Sequence, residues 1–159
     1  MIRRAAVLLL VAVALSGCGF TPMYAQNAAG GTLSRIAVSA PDSRLGFELR
    51  EQVEDALGWN RGAKPPLHRL ALEVDQERIP LGRRIDDTAV RYQLTVSAAW
   101  ILTPVSGAPA LSGVETAIVT YAAADQPYAG VAAQQDGENR AAAELARRLR
   151  LTLLTALAE

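Results

Sequence analysis

From residue 90 to residue 102 apolar and polar side chains alternate almost without a break. Val90, Tyr92, Leu94, Val96, Ala98, Trp100 and Leu102 fall on one side, and Arg91, Gln93, Thr95, Ser97 and Ala99 on the other. A period of two puts successive side chains on opposite faces of a strand, so one face of this strand must be covered. The same period predicts a strand over residues 67–79, with Leu70, Leu72 and Val74 inward and Arg69, Ala71, Glu73 and Asp75 outward. The charged stretch 80–87, opening on Pro80, reads as a loop through solvent. Pro104, Gly107 and Pro109 then mark a hairpin connection into a strand over 114–121, rich in Val, Ile, Thr and Tyr. A shorter strand is predicted over 33–39, stopped by Pro41.

Two segments change period. Leu45, Leu49, Val53, Ala56 and Leu57 recur every three or four residues, which gathers them on one face of a helix over 44–57. Asp42 or Ser43 suits its N-cap and Gly58 its end, and Arg44 with Glu48 and Arg50 with Glu54 stand four apart on its polar side. A second helix, starting near residue 128 or 136 and ending near 157, carries the stripe Ala142, Leu145, Leu149, Leu153 and Ala156, widened by Leu154 and Leu157. The predicted order is β-α-β-β-β-α. This gives the α+β class: a two-layer sandwich in which two amphipathic helices pack on one face of a four-stranded sheet. The opposite face, with Arg91, Gln93, Thr95 and Ser97, is left uncovered.

Composition adds bounds. A chain of 159 residues suits one domain, and 16 basic residues against 16 acidic ones exclude the strongly basic surface of a nucleic-acid binder. The N-terminus departs from this globular pattern. Arg3 and Arg4 precede an uncharged run over residues 5–15, the two parts of a secretory signal. That run is too short for the ~20 residues of a transmembrane helix. The segment Leu15-Ser16-Gly17-Cys18 resembles the lipobox of bacterial lipoproteins. The resemblance implies cleavage before Cys18, an S-diacylglycerol and an N-acyl chain on that residue, and attachment to a membrane surface through lipid. Gly19, where aspartate favours inner-membrane retention in such proteins, points to the outer membrane. The expected divisions are a signal peptide over 1–17, a lipidated N-terminus and tether over 18–31, and a single domain over 32–159. Cys18 is the sole cysteine, so no disulfide forms within the chain.

Candidate chemistry is sparse. There is one histidine, His68, and no spacing of ligands suited to a metal, no glycine-rich phosphate loop and no nucleophile elbow. Asp86 and Asp87 are adjacent acids in the predicted loop, where solvated carboxylates are common. A non-enzymatic protein without metal or free cofactor is the expectation. Arg78, Arg83, Arg84 and Arg91 cluster in sequence toward one end of the second and third strands, and the guanidinium fork suits phosphate oxygens. Against a special role, 13 of the 14 basic residues from Cys18 onward are arginine.

The stretch from Cys18 to Tyr24, CGFTPMY, resembles the Cys-Gly-Phe-x-Pro-Leu-Tyr start of alphaproteobacterial lipopolysaccharide (LPS)-assembly lipoproteins, the LptE family. Residues 45–50, LGFELR, resemble that family's first helix. Residues 121–157 resemble its C-terminal helix region, with Tyr121, Tyr128, Asp136, Arg140 and Ala141 in matching places. The resemblance implies the same two-helix, four-strand fold and a non-enzymatic role. It implies a lipid-anchored protein on the periplasmic side of the outer membrane, in complex with the LptD-type β-barrel, supporting that barrel's assembly and binding LPS during its insertion into the outer leaflet. Arg78, Arg83, Arg84 and Arg91 are the LPS contacts that chemistry suggests. The alternative is an accessory lipoprotein of another envelope transport or barrel-assembly complex.

Overall fold

The computed structural model describes residues 28–59, 64–83, 85 and 89–158. Cys18, the signal segment, Arg84, Asp86 and Asp87 lie outside the described residues. The elements are α1 (Ala28–Leu33), β1 (Ile36–Ser39), α2 (Arg44–Leu57), β2 (His68–Arg83), β3 (Ala89–Pro104), β4 (Leu111–Ala122) and α3 (Pro127–Ala156). The four strands form one sheet in the order β1-β2-β3-β4. The short β1 runs parallel to β2, from Ile36 opposite His68 to Ser39 opposite Ala71. β2, β3 and β4 form an antiparallel meander, with His68 opposite Pro104 and Arg91 opposite Ala122.

The alternation read from the sequence decides which face is covered. Leu70, Leu72, Leu94, Val96, Ala98, Trp100, Leu102 and Ala117 are buried beneath the helices, together with Leu49 and Val53 of α2 and Leu145, Leu149 and Leu153 of α3. Gln93, Thr95 and Ser97 point to the other face, where none of the described helices lies, and the hydroxyls of Ser97 and Thr116 meet at 3.2 Å. The result is the expected α+β sandwich. Ser43 is the N-cap of α2, its side chain accepting from the Gly46 amide at 3.0 Å, and Gly58 ends the helix with φ 68°. Gly46 itself is forced by a close approach: a Cβ there would lie 2.3 Å from the Pro41 carbonyl oxygen.

Several boundaries differ from the sequence expectation, and β4 starts at Leu111 rather than at Val114. Residues 28–33, read in part as tether and in part as strand, form the helix α1, whose last residue, Leu33, is buried against the core. β1 accordingly starts at Ile36 rather than at Leu33. β2 continues through Pro80 to Arg83 instead of ending at Ile79, with Pro80 opposite Tyr92 and Leu81 opposite Arg91. Proline is tolerated because it sits on the side of β2 that has no neighbouring strand. The Val105 amide donates to the Leu67 carbonyl, so odd residues of β2 bond toward β3 and even residues, Pro80 among them, face away.

The two helices are unequal. At ~1.5 Å per residue the 30 residues of α3 extend about 45 Å and the 14 of α2 about 21 Å. Both run in the same direction: Arg44 at the start of α2 pairs with Glu138, and Arg150 donates to the Ala56 carbonyl near its end. Residues 127–137 of α3 therefore extend past the start of α2. Among the described residues they alone cover the end of the sheet that carries the β2–β3 hairpin.

Candidate functional site

Where α3 runs on without α2, a cleft of about 810 Å³ opens between its first turns and the inner face of the sheet, lined among others by Arg78, Tyr92, Tyr121, Asp125, Val131 and Gln134. The strand registers assemble it. Pro80, Tyr92 and Tyr121 lie side by side across β2, β3 and β4, and the two tyrosine rings stand 5.5 Å apart at 33°. Arg78, two residues before Pro80 on the same face, places its guanidinium 4.9 Å from the centre of the Tyr92 ring and donates to Gln134 Oε1 at 3.0 Å. Stacking on a ring and one hydrogen bond orient the cation while leaving most of its donors open to the cleft.

Tyr121 is only 6% exposed, and its hydroxyl lacks a partner of full hydrogen-bonding geometry among the described residues. Acting as an acceptor and through its charge, that hydroxyl still raises the Arg78 guanidinium above its ordinary pKa. Arg78 is thus a permanent cation. A buried hydroxyl without a full partner costs free energy that an incoming polar group relieves. The pair of groups suits an anionic oxygen, phosphate or carboxylate, presented at the mouth of the cleft.

A second recess of about 560 Å³ continues from the first, sharing Val131 and Gln134 and reaching Val74, Gln76 and the start of α2. One wall is a buried carboxylate. Glu138 is paired with Arg44 at 3.1 Å and accepts from Gln134 Nε2 at 2.9 Å. Arg44, expected to pair along its own helix with Glu48, instead ties the two helices together.

Of the four arginines singled out in the sequence, Arg78 and Arg91 lie on opposite faces of the sheet. Arg78 lies at an even position of β2 and faces the cleft. Arg91, at an odd position of β3, points to the uncovered face. Arg83 is the last residue of β2, opposite Ala89, and Arg84 lies outside the described residues. His68 lies at the inner side of β2 with its Nδ1 buried, and burial lowers its pKa, as for a packed neutral ring. Among the described residues no group of His, Cys, Asp and Glu is arranged to hold a metal ion. No described helix is long and apolar enough to cross a membrane. Tyr92, Tyr121 and Gln134 escaped the sequence reading as site residues. The signal of the tyrosines was a polar tip at an inward position near a strand end, joined by the β3–β4 register; Gln134, on α3, carried none.

The two outer edges of the sheet also differ. On β4, Arg148 donates to the Thr116 carbonyl at 2.7 Å and Arg140 to the Thr120 carbonyl at 3.2 Å, so α3 occupies acceptors along that edge. Arg148 and Arg147 also clamp Glu144 and hold its carboxyl below the ordinary pKa. No comparable contact covers β2 beyond β1 among the described residues.

Residues 33–153 match the model of a protein family described as LptE, lipopolysaccharide-assembly. Among solved structures, a lipoprotein from Caulobacter crescentus CB15 is 44% identical, with a TM-score of 0.71, covering 83% of this chain and 96% of its own. A minor lipoprotein from Acinetobacter baumannii shares the fold at 13% identity and a TM-score of 0.56, covering 79% of this chain and 93% of its own. No curated protein sequence matches the chain.

Proposed function

The chain belongs to the LptE family, a non-enzymatic family of LPS-assembly lipoproteins, and from that premise we propose that it is anchored to the periplasmic side of the outer membrane, joins an LptD-type β-barrel and binds LPS. The family match over residues 33–153 carries the proposal. Residues 1–17 serve as its signal peptide, Cys18 carries the diacylglycerol and N-acyl lipid, and residues 19–27 link that anchor to α1. Several acyl chains on one residue give lasting attachment where a single chain binds only marginally. The uncovered face carries a polar row, Gln93, Thr95, Ser97, Thr116 and Thr120, of the kind that the lumen of a barrel accepts, beside the exposed Ile101, Val114 and Ile118. The cleft around Arg78 supplies a fixed cation for an LPS phosphate.

Purification from outer membranes tests the partner. Recovery of a large β-barrel in equal amount supports the proposal, whereas recovery with another envelope machine and no such barrel replaces it. Mass spectrometry of the N-terminal peptide checks the lipid on Cys18. For the ligand, Arg78→Ala is expected to weaken LPS binding roughly tenfold, as loss of one charge-assisted contact does. Arg91→Ala, on the opposite face, should change binding little. An unaltered affinity in the Arg78 variant, with its circular dichroism unchanged, removes the cleft from the LPS reading.

A further inference from the structure

β2 is 16 residues long, but β1 pairs only with His68–Ala71. Beyond that point the even residues of β2 turn their amides and carbonyls away from β3 with no strand to receive them among the described residues, so Val74, Gln76 and Arg78 present an open ladder. The run is bounded. β1 closes it at one end, and Pro80, the next even position, has no N–H to offer at the other. On the β4 edge, by contrast, arginines of α3 take the Thr116 and Thr120 carbonyls. Directly beside the open run lies the 560 Å³ recess, walled by Val74, Val131, Gln134, Gln135 and the start of α2, in the lane that β1 leaves when the chain turns into that helix. A strand laid against Val74–Arg78 would send every second side chain into this recess.

The other side chains of such a strand would meet acids. Glu73, Asp75 and Glu77 project from the odd positions of the same run, exposed on the uncovered face, and none has an ion-pair partner among the described residues. Two copies of this chain pairing edge to edge would set these acids against one another, which is destabilising. A basic strand would be attracted. We propose that the open edge of β2 from Val74 to Arg78 docks an extended, basic segment of a partner protein, which adds to the sheet as a strand and places its alternate, uncharged side chains in the recess. The proposal does not depend on LPS binding or on the identity of the barrel.

The test uses the protein purified in detergent as the cell makes it, with a nonapeptide alternating lysine and valine as probe and amide hydrogen exchange as readout. Saturating peptide is expected to slow exchange at the Val74, Gln76 and Arg78 amides at least tenfold, while a glutamate–valine nonapeptide does not. Gln76→Pro removes one edge-facing N–H without touching the β2–β3 ladder, so it should abolish that protection and leave the Asp75 and Glu77 amides protected. Should proline disturb the strand, Asp75→Lys with Glu77→Lys provides the second arm, with preference expected to pass to the glutamate peptide. Absence of protection at the three amides with the lysine peptide overturns the proposal. So does a preference unchanged by the charge reversal. Protection that rises with protein concentration alone would identify a second copy as the occupant and equally overturn it.

Discussion

Leu149→Ala is expected to lower the unfolding free energy by about 3 kcal/mol, within the range of roughly 2–5 kcal/mol for buried leucine truncations. Leu149 is fully buried on the inward stripe of α3, between Leu145 and Leu153, which are equally buried, in the core shared with α2 and the sheet. Removing its branched end loses the transfer free energy of those carbons and leaves a cavity. The surroundings cannot collapse into it, because α3 is pinned on both sides: Arg148 holds the Thr116 carbonyl of β4, and Arg150 holds the Ala56 carbonyl of α2. For a domain of this size the loss corresponds to a fall of about 10 °C in Tm. Leu151→Ala, two residues on but half exposed, is the matched control and should cost less than about 1 kcal/mol. Urea unfolding of both variants measures the contrast, and equal losses would mean that the α3 stripe is not the centre of the core.

Gly46→Ala is expected to cost about 2 kcal/mol against the trend of helix propensity. In an unhindered helix the change would gain about 1 kcal/mol. Here the added Cβ meets the Pro41 carbonyl oxygen at 2.3 Å and Ser43 Oγ at 3.0 Å. The first is backbone and cannot swing aside. The second is the capping oxygen of the helix, so relief of the clash also disturbs the cap. Overpacking costs of roughly 1–3 kcal/mol and a cap worth about 1 kcal/mol together exceed the propensity gain. Gly130→Ala on α3, where the nearest atom to a Cβ is 4.0 Å away, should show the gain alone. Opposite signs for the two glycines in thermal unfolding are the expected outcome, and a stabilised Gly46 variant would contradict the packing at the start of α2.

What the sequence disclosed of this fold follows from where one interaction dominates. In β3 the alternation from Val90 to Leu102 is plain, because hydrophobic burial acts at every second residue from Leu94 to Leu102 and nothing competes with it there. The stripe of α3 was equally plain. Pro80 misled, since proline is read as a stop and its acceptance in β2 depends on a missing neighbour strand, a tertiary fact. The helix α1 was hidden by Gly30 and Gly31, weak helix formers at the end of a polar stretch; burial of Leu33 beside the core outweighs their preference. Of the arginine cluster, Arg78 and Arg91 are separated by position parity, which sends the first inward and the second outward. The cleft gathers two tyrosines and a glutamine from β3, β4 and α3. The β3–β4 register joins the tyrosines, and the packing of α3 on the sheet brings Gln134 to Arg78.

The parallel pairing of β1 with β2 bears on the order in which the chain comes together. Ile36 must find His68 across an intervening helix, whereas β2, β3 and β4 meet through successive hairpins. Loop closure grows costlier with the length enclosed, and local contacts form first. The meander and α3 are thus expected to assemble early and β1 late, which φ-values near zero at Ile36 and Val38, against higher ones at Leu94 and Val96, would register. The end of the domain that leads back toward Cys18 would then be the last to lock, so the molecule finishes folding at the point from which it hangs.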